Sequence, residues 1–108
     1  MKTFRKTIPK KKSLPIEEVT RIEADINYSR LFLASGKRII LARTLKAYEK
    51  DLPFPFLRVN RSCMININFL HRNQMPEDKT IRMIDGTEIA ISRRRMNLVS
   101  QAISSAFY

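Results

Sequence analysis

The chain has 108 residues, 21 of them Lys or Arg and 10 Asp or Glu, for a formal net charge of +11, with 44% hydrophobic residues, one Cys and one His. That length holds one domain, and the apolar content suffices for a core. One Cys and one His can build neither an internal disulfide nor a four-ligand zinc site. No apolar run approaches the ~18 residues of a membrane span and no signal-type stretch follows the basic start, so a cytoplasmic chain with a polyanionic partner is expected.

Residues 1–12, MKTFRKTIPKKK, contain six basic and no acidic residues, five of the six being Lys. They read as a basic flexible tail ahead of a domain spanning residues 13–108. In the tail, Lys10, Lys11 and Lys12 suit phosphate in general, or form a solvated linker. Residues 57–108 instead hold seven Arg and one Lys. Lysine is a mobile point charge, whereas arginine is a planar fork that pairs bidentately with phosphate or with a guanine edge.

VTRIEAD, at residues 19–25, has strand character. The only two glycines then mark hairpins: Gly36 between SRLFLA and KRIILA, and Gly86 between TIRMI and TEIAIS. A three-residue loop ending in each glycine pairs Leu31 with Ile39, Ile81 with Ile89 and Arg82 with Glu88. That register separates an apolar face from a charged one, while a two-residue Asp85-Gly86 loop would mix the faces. Between the hairpins, Thr44 can cap a helix whose Leu45, Tyr48 and Leu52 share one face before Pro53 stops it. Strand-forming residues follow within FLRVNRSCMININFL, at residues 56–70, where Arg58 and Asn60 fall on one face of an extended chain. After Ser92, read as an N-cap, Met96, Val99, Ile103 and Phe107 recur at helical spacing as a core-facing stripe. The expected fold is mainly β with short helices.

Catalysis finds little support. His71 sits in the polar stretch His71, Arg72, Asn73, Gln74 with no orienting partner in view, and reads as a surface residue. Cys63 lies in an apolar strand and reads as a small hydrophobe. Glu17, Glu18, Glu77 and Asp78 form adjacent loop pairs, which solvate instead of converging on one site. Two glycines, both used in hairpins, leave no phosphate-cradling loop. A non-enzyme is expected, without metal, cofactor or small-molecule substrate. Arg93, Arg94 and Arg95 differ, because they fall in the first turn expected for the last helix, where the positive dipole end disfavours cations unless an anion arrives. Splayed, solvated arginines are the bland alternative. Near them in character is the Arg58, Asn60, Arg61 group, since Arg pairs with guanine and Asn with adenine in the major groove; equally, Asn60 and Asn66 suit turns and strand ends, bonding local backbone.

Taken together, IEADINYSRLFLASGK, TLKAYEKDLP, FLRVNRSCMININF and MIDGTEIAISRRRM resemble the LytTR family of bacterial DNA-binding domains, from about Lys12 to Phe107. The central block is the most specific, matching the family's pattern at Phe56, Arg58, Ser62 and Asn66. It departs at Asn60, where the family usually has His. The resemblance implies an elongated fold of stacked small antiparallel sheets with a C-terminal helix, reaching DNA with loops and no recognition helix. It also implies that Tyr28, Ser29 and Arg30, Asn60 and Arg61, and Arg93, Arg94 and Arg95 face the duplex. Family members commonly follow a receiver domain, so the chain reads either as a stand-alone regulator or as a response-regulator output domain.

The function expected is sequence-specific binding of double-stranded DNA in bacterial transcription regulation, one copy per repeated half-site. The alternative is a basic interaction module that docks a protein partner or an anionic membrane surface through its tail. RNA binding ranks third, because stacking platforms need exposed aromatics on a strand and the Phe and Tyr residues mostly hold core-like positions.

Overall fold

The computed structural model describes residues 14–107. Lys10, Lys11 and Lys12, and with them the expected basic tail, lie outside the described residues. Five strands form one antiparallel sheet: β1 (Val19–Asp25), β2 (Tyr28–Leu33), β3 (Arg38–Leu41), β4 (Phe56–Asn60) and β5 (Cys63–Asn66), in the order β3-β2-β1-β5-β4. A separate hairpin holds β6 (Thr80–Arg82) and β7 (Glu88–Ala90), and the α-helices are α1 (Leu45–Asp51) and α2 (Met96–Phe107). The domain measures 40 × 27 × 24 Å along its principal axes. It is mainly β, with two stacked small sheets and a C-terminal helix.

The large sheet divides the interior, because side chains alternate across a strand. Every residue of β5 is buried. On one face Met64 joins Val19, Ile22 and Leu31 beneath Leu45, Tyr48 and Leu52 of the α1 segment. On the other, Cys63 and Ile65 join Val59, Ile81, Met83 and Ile89 beneath Val99 and Ile103 of α2. Removing a side chain such as Ile65 or Ile22 from water contributes about 1.5–3 kcal/mol each.

Both glycine hairpins have the expected register. Leu31 opposes Ile39, Ile81 opposes Ile89, and Arg82 opposes Glu88. Gly36 and Gly86 have φ of 96° and 91°, a region that excludes most side chains. Asp85 completes the second loop by accepting from Thr87 N at 2.9 Å. Hydrogen bonds from Thr87 hold its carboxyl below the usual range, against an upward push from burial, and Arg21 adds a further downward pull. Thr44 caps α1, its hydroxyl accepting from Ala47 N at 3.3 Å.

Five expectations are corrected. The last α-helix starts at Met96, and Arg93–Arg95 form a 3-10 turn ahead of it. Ser92 makes no side-chain cap bond, and its backbone N–H instead donates to Val59 O at 2.9 Å, fixing where the chain leaves β7. Arg58 and Asn60 do not share a face, because β4 is irregular between them, with Arg58 opposite Met64 and Asn60 opposite Cys63. Phe107 is 51% exposed, since the last turn of α2 overhangs the core and buries nothing. Aromatics are also less internal than expected: Tyr28 is 53% and Phe54 63% exposed, although Tyr48 is fully buried.

Candidate nucleic-acid interface

The β4–β5 turn, at residues 60–63, is the hub of the site. Its backbone is held from three directions. Ala24 N at the end of β1 donates to Ser62 O at 2.9 Å, and Ser92 N ahead of the arginine turn donates to Val59 O at 2.9 Å. From β7, the Ala90 carbonyl accepts from Asn60 Nδ2 at 2.7 Å, while Asn60 Oδ1 accepts from Ser62 N at 2.7 Å. The segments singled out in sequence are therefore adjacent in space: the β1–β2 turn, the β4–β5 turn and the Arg93–Arg95 turn. A shallow depression lined by Glu23, Ala24, Arg30, Asn60, Ser62 and Thr87 joins the first two.

Arg58 clamps this turn from below. Its Nε donates to Asn60 O at 3.1 Å, one Nη to Arg61 O at 2.7 Å and the other to Glu49 on α1 at 3.0 Å. The second Glu49 oxygen accepts from Arg95 at 3.1 Å, so one carboxylate ties α1 to both the hub and the arginine turn. Burial pushes the Glu49 carboxyl upward, but the hydrogen bonds and charges of Arg58 and Arg95 outweigh it and hold the group below its ordinary value.

The expected contact residues separate into exposed and occupied sets. Arg61, Arg93 and Arg94 are exposed, and among the described residues none of them makes an ion pair. Tyr28 is half exposed. Arg30 pairs with Asp25 at 2.7 Å and Glu23 at 3.5 Å, and Arg95 is held by Glu49. Asn60 uses both ends of its amide inside the fold, as a turn residue does. Ser29 is corrected outright: it is 0% exposed, and its Oγ donates to Tyr48 Oη at 3.0 Å and lies 3.4 Å from the Leu41 carbonyl oxygen. Strand alternation turns it toward α1 while its neighbours Tyr28 and Arg30 face the other way. Tyr48, buried beneath it, has its phenol pushed up by that burial, partly offset by the Ser29 hydrogen bond and the Arg43 charge.

Sequence reading missed two parts of this end of the molecule, Glu49 and Ile26. Glu49 gave no signal, because its two arginines lie 9 and 46 residues away. Ser62, matched to the family pattern in sequence, is exposed beside Arg61 in the tight turn. At the β1–β2 tip, Ile26 is 89% exposed with φ 56°, in a two-residue loop that carries no glycine to announce it.

The geometry accords with comparison to known proteins. A family profile described as the LytTr DNA-binding domain matches residues 10–104. The chain belongs to the LytTR family. As a LytTR chain it is a DNA-binding domain, and the family is not a catalytic one. Among solved structures, it is similar to the LytTr DNA-binding domain of a putative methyl-accepting/DNA response regulator from Bacillus cereus. The two are 20% identical, with 83% of this chain and 84% of that chain covered and a TM-score of 0.71, a likeness of fold. No curated protein matches the chain. The LytTR pattern at Phe56, Arg58 and Asn66 has a structural meaning here. Phe56 packs against the α1 core, Arg58 clamps the hub, and buried Asn66 donates to Val19 O at 2.9 Å while accepting from Asn68 N at 2.9 Å. Of the three, Arg58 shapes the turn that presents Arg61, while Phe56 and Asn66 pair at the opposite end of the β4–β5 hairpin.

Among the described residues, no helix is long and apolar enough to cross a membrane, and no cluster of His, Cys, Asp or Glu could hold a metal ion.

Proposed function

We propose that this LytTR domain is a transcriptional regulator that binds double-stranded DNA sequence-specifically, with loops entering the major groove. The observation that carries the reading is the trio Arg61, Arg93 and Arg94, exposed and free of carboxylates among the described residues, on two turns joined by the Ser92 N to Val59 O hydrogen bond. Guanidinium forks held on fixed backbone suit guanine O6 and N7. Arg61 and Arg94 read base edges, while Arg93 meets phosphate together with Lys10, Lys11 and Lys12. Tyr28 flanks the contact. Arg30, Asn60 and Arg95 position the loops, and Ser29 supports β2 from within. Two copies sit on repeated half-sites, one chain per half-site.

Selection of bound duplexes from a random pool, followed by titration at increasing salt, tests this reading. A recovered motif, repeated at fixed spacing and preferred over random duplex as salt rises, is the expected result. Non-specific affinity collapses with salt through counterion release, whereas base readout leaves a residual preference. Equal affinity for every duplex refutes it. Liposome binding abolished by deleting residues 1–12, with no DNA preference, would favour the interaction-module reading instead.

A further inference from the structure

The β1–β2 tip combines features that the free domain does not explain. Pairing of β1 with β5 ends at Glu23 opposite Cys63, and pairing of β2 with β3 ends at Ser29 opposite Leu41. Beyond those points Asp25 still pairs with Tyr28, so residues 25–28 project past the sheet as a two-stranded ribbon. Its outermost side chain is Ile26, 89% exposed, the highest exposure of any large apolar residue described. Its φ of 56° lies in the left-handed region, where a β-branched side chain is an outlier. Glycine or asparagine would fill that position with less strain. Ile26 thus carries backbone strain without burying its side chain, at the end of the domain that presents Arg61, Arg93 and Arg94.

We infer that Ile26 is a specificity-determining residue that contacts a thymine C5-methyl group in the major groove. The inference rests on the proposed DNA-binding reading and names what the tip reads. A two-stranded ribbon fits the major groove, and the thymine methyl is the apolar group on base edges there. The acidic neighbour Asp25 does not repel the duplex freely, because Arg30 holds it at 2.7 Å. The tip is also fixed relative to the arginines: Ala24 N bonds Ser62 O beside Arg61, so ribbon and arginine fork approach the groove as one unit. Strain held at a projecting apolar residue is the form that a preorganised contact takes.

The experiment uses the full chain and the duplex recovered by selection, with each thymine replaced in turn by deoxyuridine, which removes the C5-methyl alone. The wild-type protein should lose about four-fold in affinity at one or two thymines, the size of one methyl-scale apolar contact. Ile26→Ala and Ile26→Gly should each lose about the same factor on the thymine duplex and respond no further to deoxyuridine at those positions. The glycine variant relieves the left-handed strain, so it separates loss of contact from misfolding, and melting curves of both variants accompany the titrations. The inference is overturned if both variants keep wild-type affinity and deoxyuridine sensitivity, or if they weaken binding equally on selected and random duplexes. Absence of any preference for the selected duplex in the wild-type protein would instead defeat the underlying DNA-reading proposal.

Discussion

Arg94→Ala and Arg95→Ala place the same deletion at adjacent positions with opposite surroundings. Arg94 is exposed and makes no ion pair among the described residues, so its removal should shift stability by no more than about 0.5 kcal/mol. On the selected duplex, loss of a fork on a guanine edge should weaken binding by about 1–3 kcal/mol and relax preference at one base pair. Arg95 bonds Glu49 at 3.1 Å, with side-chain exposures of 24% and 39%. Solvent screening at that exposure limits the pair to about 1 kcal/mol or less, equivalent to a fall in Tm of a few degrees in a domain of this size. Because Arg95 holds the turn instead of reading a base, its loss should weaken all duplexes by a similar factor. Fluorescence anisotropy against the selected duplex and its single-base variants, with thermal melts of both proteins, separates the cases. If Arg94→Ala melts several degrees lower while preference at every base pair survives, Arg94 is structural and the assignment of the reading end is wrong.

At the hairpins, Gly86→Ala and Gly36→Ala meet no heavy atom within 4 Å of the added Cβ, so the penalty is confined to the backbone at φ +91° and +96°. Urea denaturation should show a loss of about 1–2 kcal/mol for each. The Glu49 clasp carries a pH signature. Its carboxyl is depressed in the fold, so its stabilisation is present above the unfolded value of about 4.3 and is lost as pH falls through the folded value. Thermal melts across the acid range should show this decline in the wild-type protein and a shallower one in Glu49→Gln. Burial, reinforced by the Glu23 charge and opposed by Arg21, pushes the Cys63 thiol up to about 12. A thiol-alkylating probe at about pH 8 should label it at the rate of global unfolding and no faster, since the thiolate is the nucleophile.

Local chemistry made the hairpins and helix α1 legible. Gly36 and Gly86 each allowed one register in which the faces matched, and Thr44 and Pro53 bounded α1 by a cap and a stop. Placement of side chains at the site was less legible, because it depends on partners distant in sequence. Arg58 and Asn60 share a face in a regular strand, but the β4 irregularity sends one toward Glu49 and the other toward Ala90. Ser29 carries a polar side chain, yet the hydroxyl of Tyr48, 19 residues on, receives it in the interior. Ser92 has the composition of an N-cap, and the tertiary bond of its backbone to Val59 leaves the following residues in a 3-10 turn.

The distribution of carboxylates explains why a basic chain has only a few arginines available to a duplex. Glu23 and Asp85 hold Arg21, Glu23 and Asp25 hold Arg30, Asp51 holds Arg43, Glu49 holds Arg58 and Arg95, and Glu88 holds Arg82. Each of these arginines is at least partly buried, where an unpaired charge would be costly. The acidic residues thus neutralise the arginines of the framework and, among the described residues, leave Arg38, Arg61, Arg72, Arg93 and Arg94 exposed without an ion pair. Net charge alone would predict diffuse attraction to any polyanion. Of these, Arg61, Arg93 and Arg94 sit on two turns whose backbones are bonded together, which gives the general attraction a defined direction at this end. The same logic makes Glu49 a central electrostatic residue: removing it would leave Arg58 and Arg95 without their shared counter-charge. Glu49→Gln should therefore raise affinity for random duplex more than for the selected one, narrowing the difference between them.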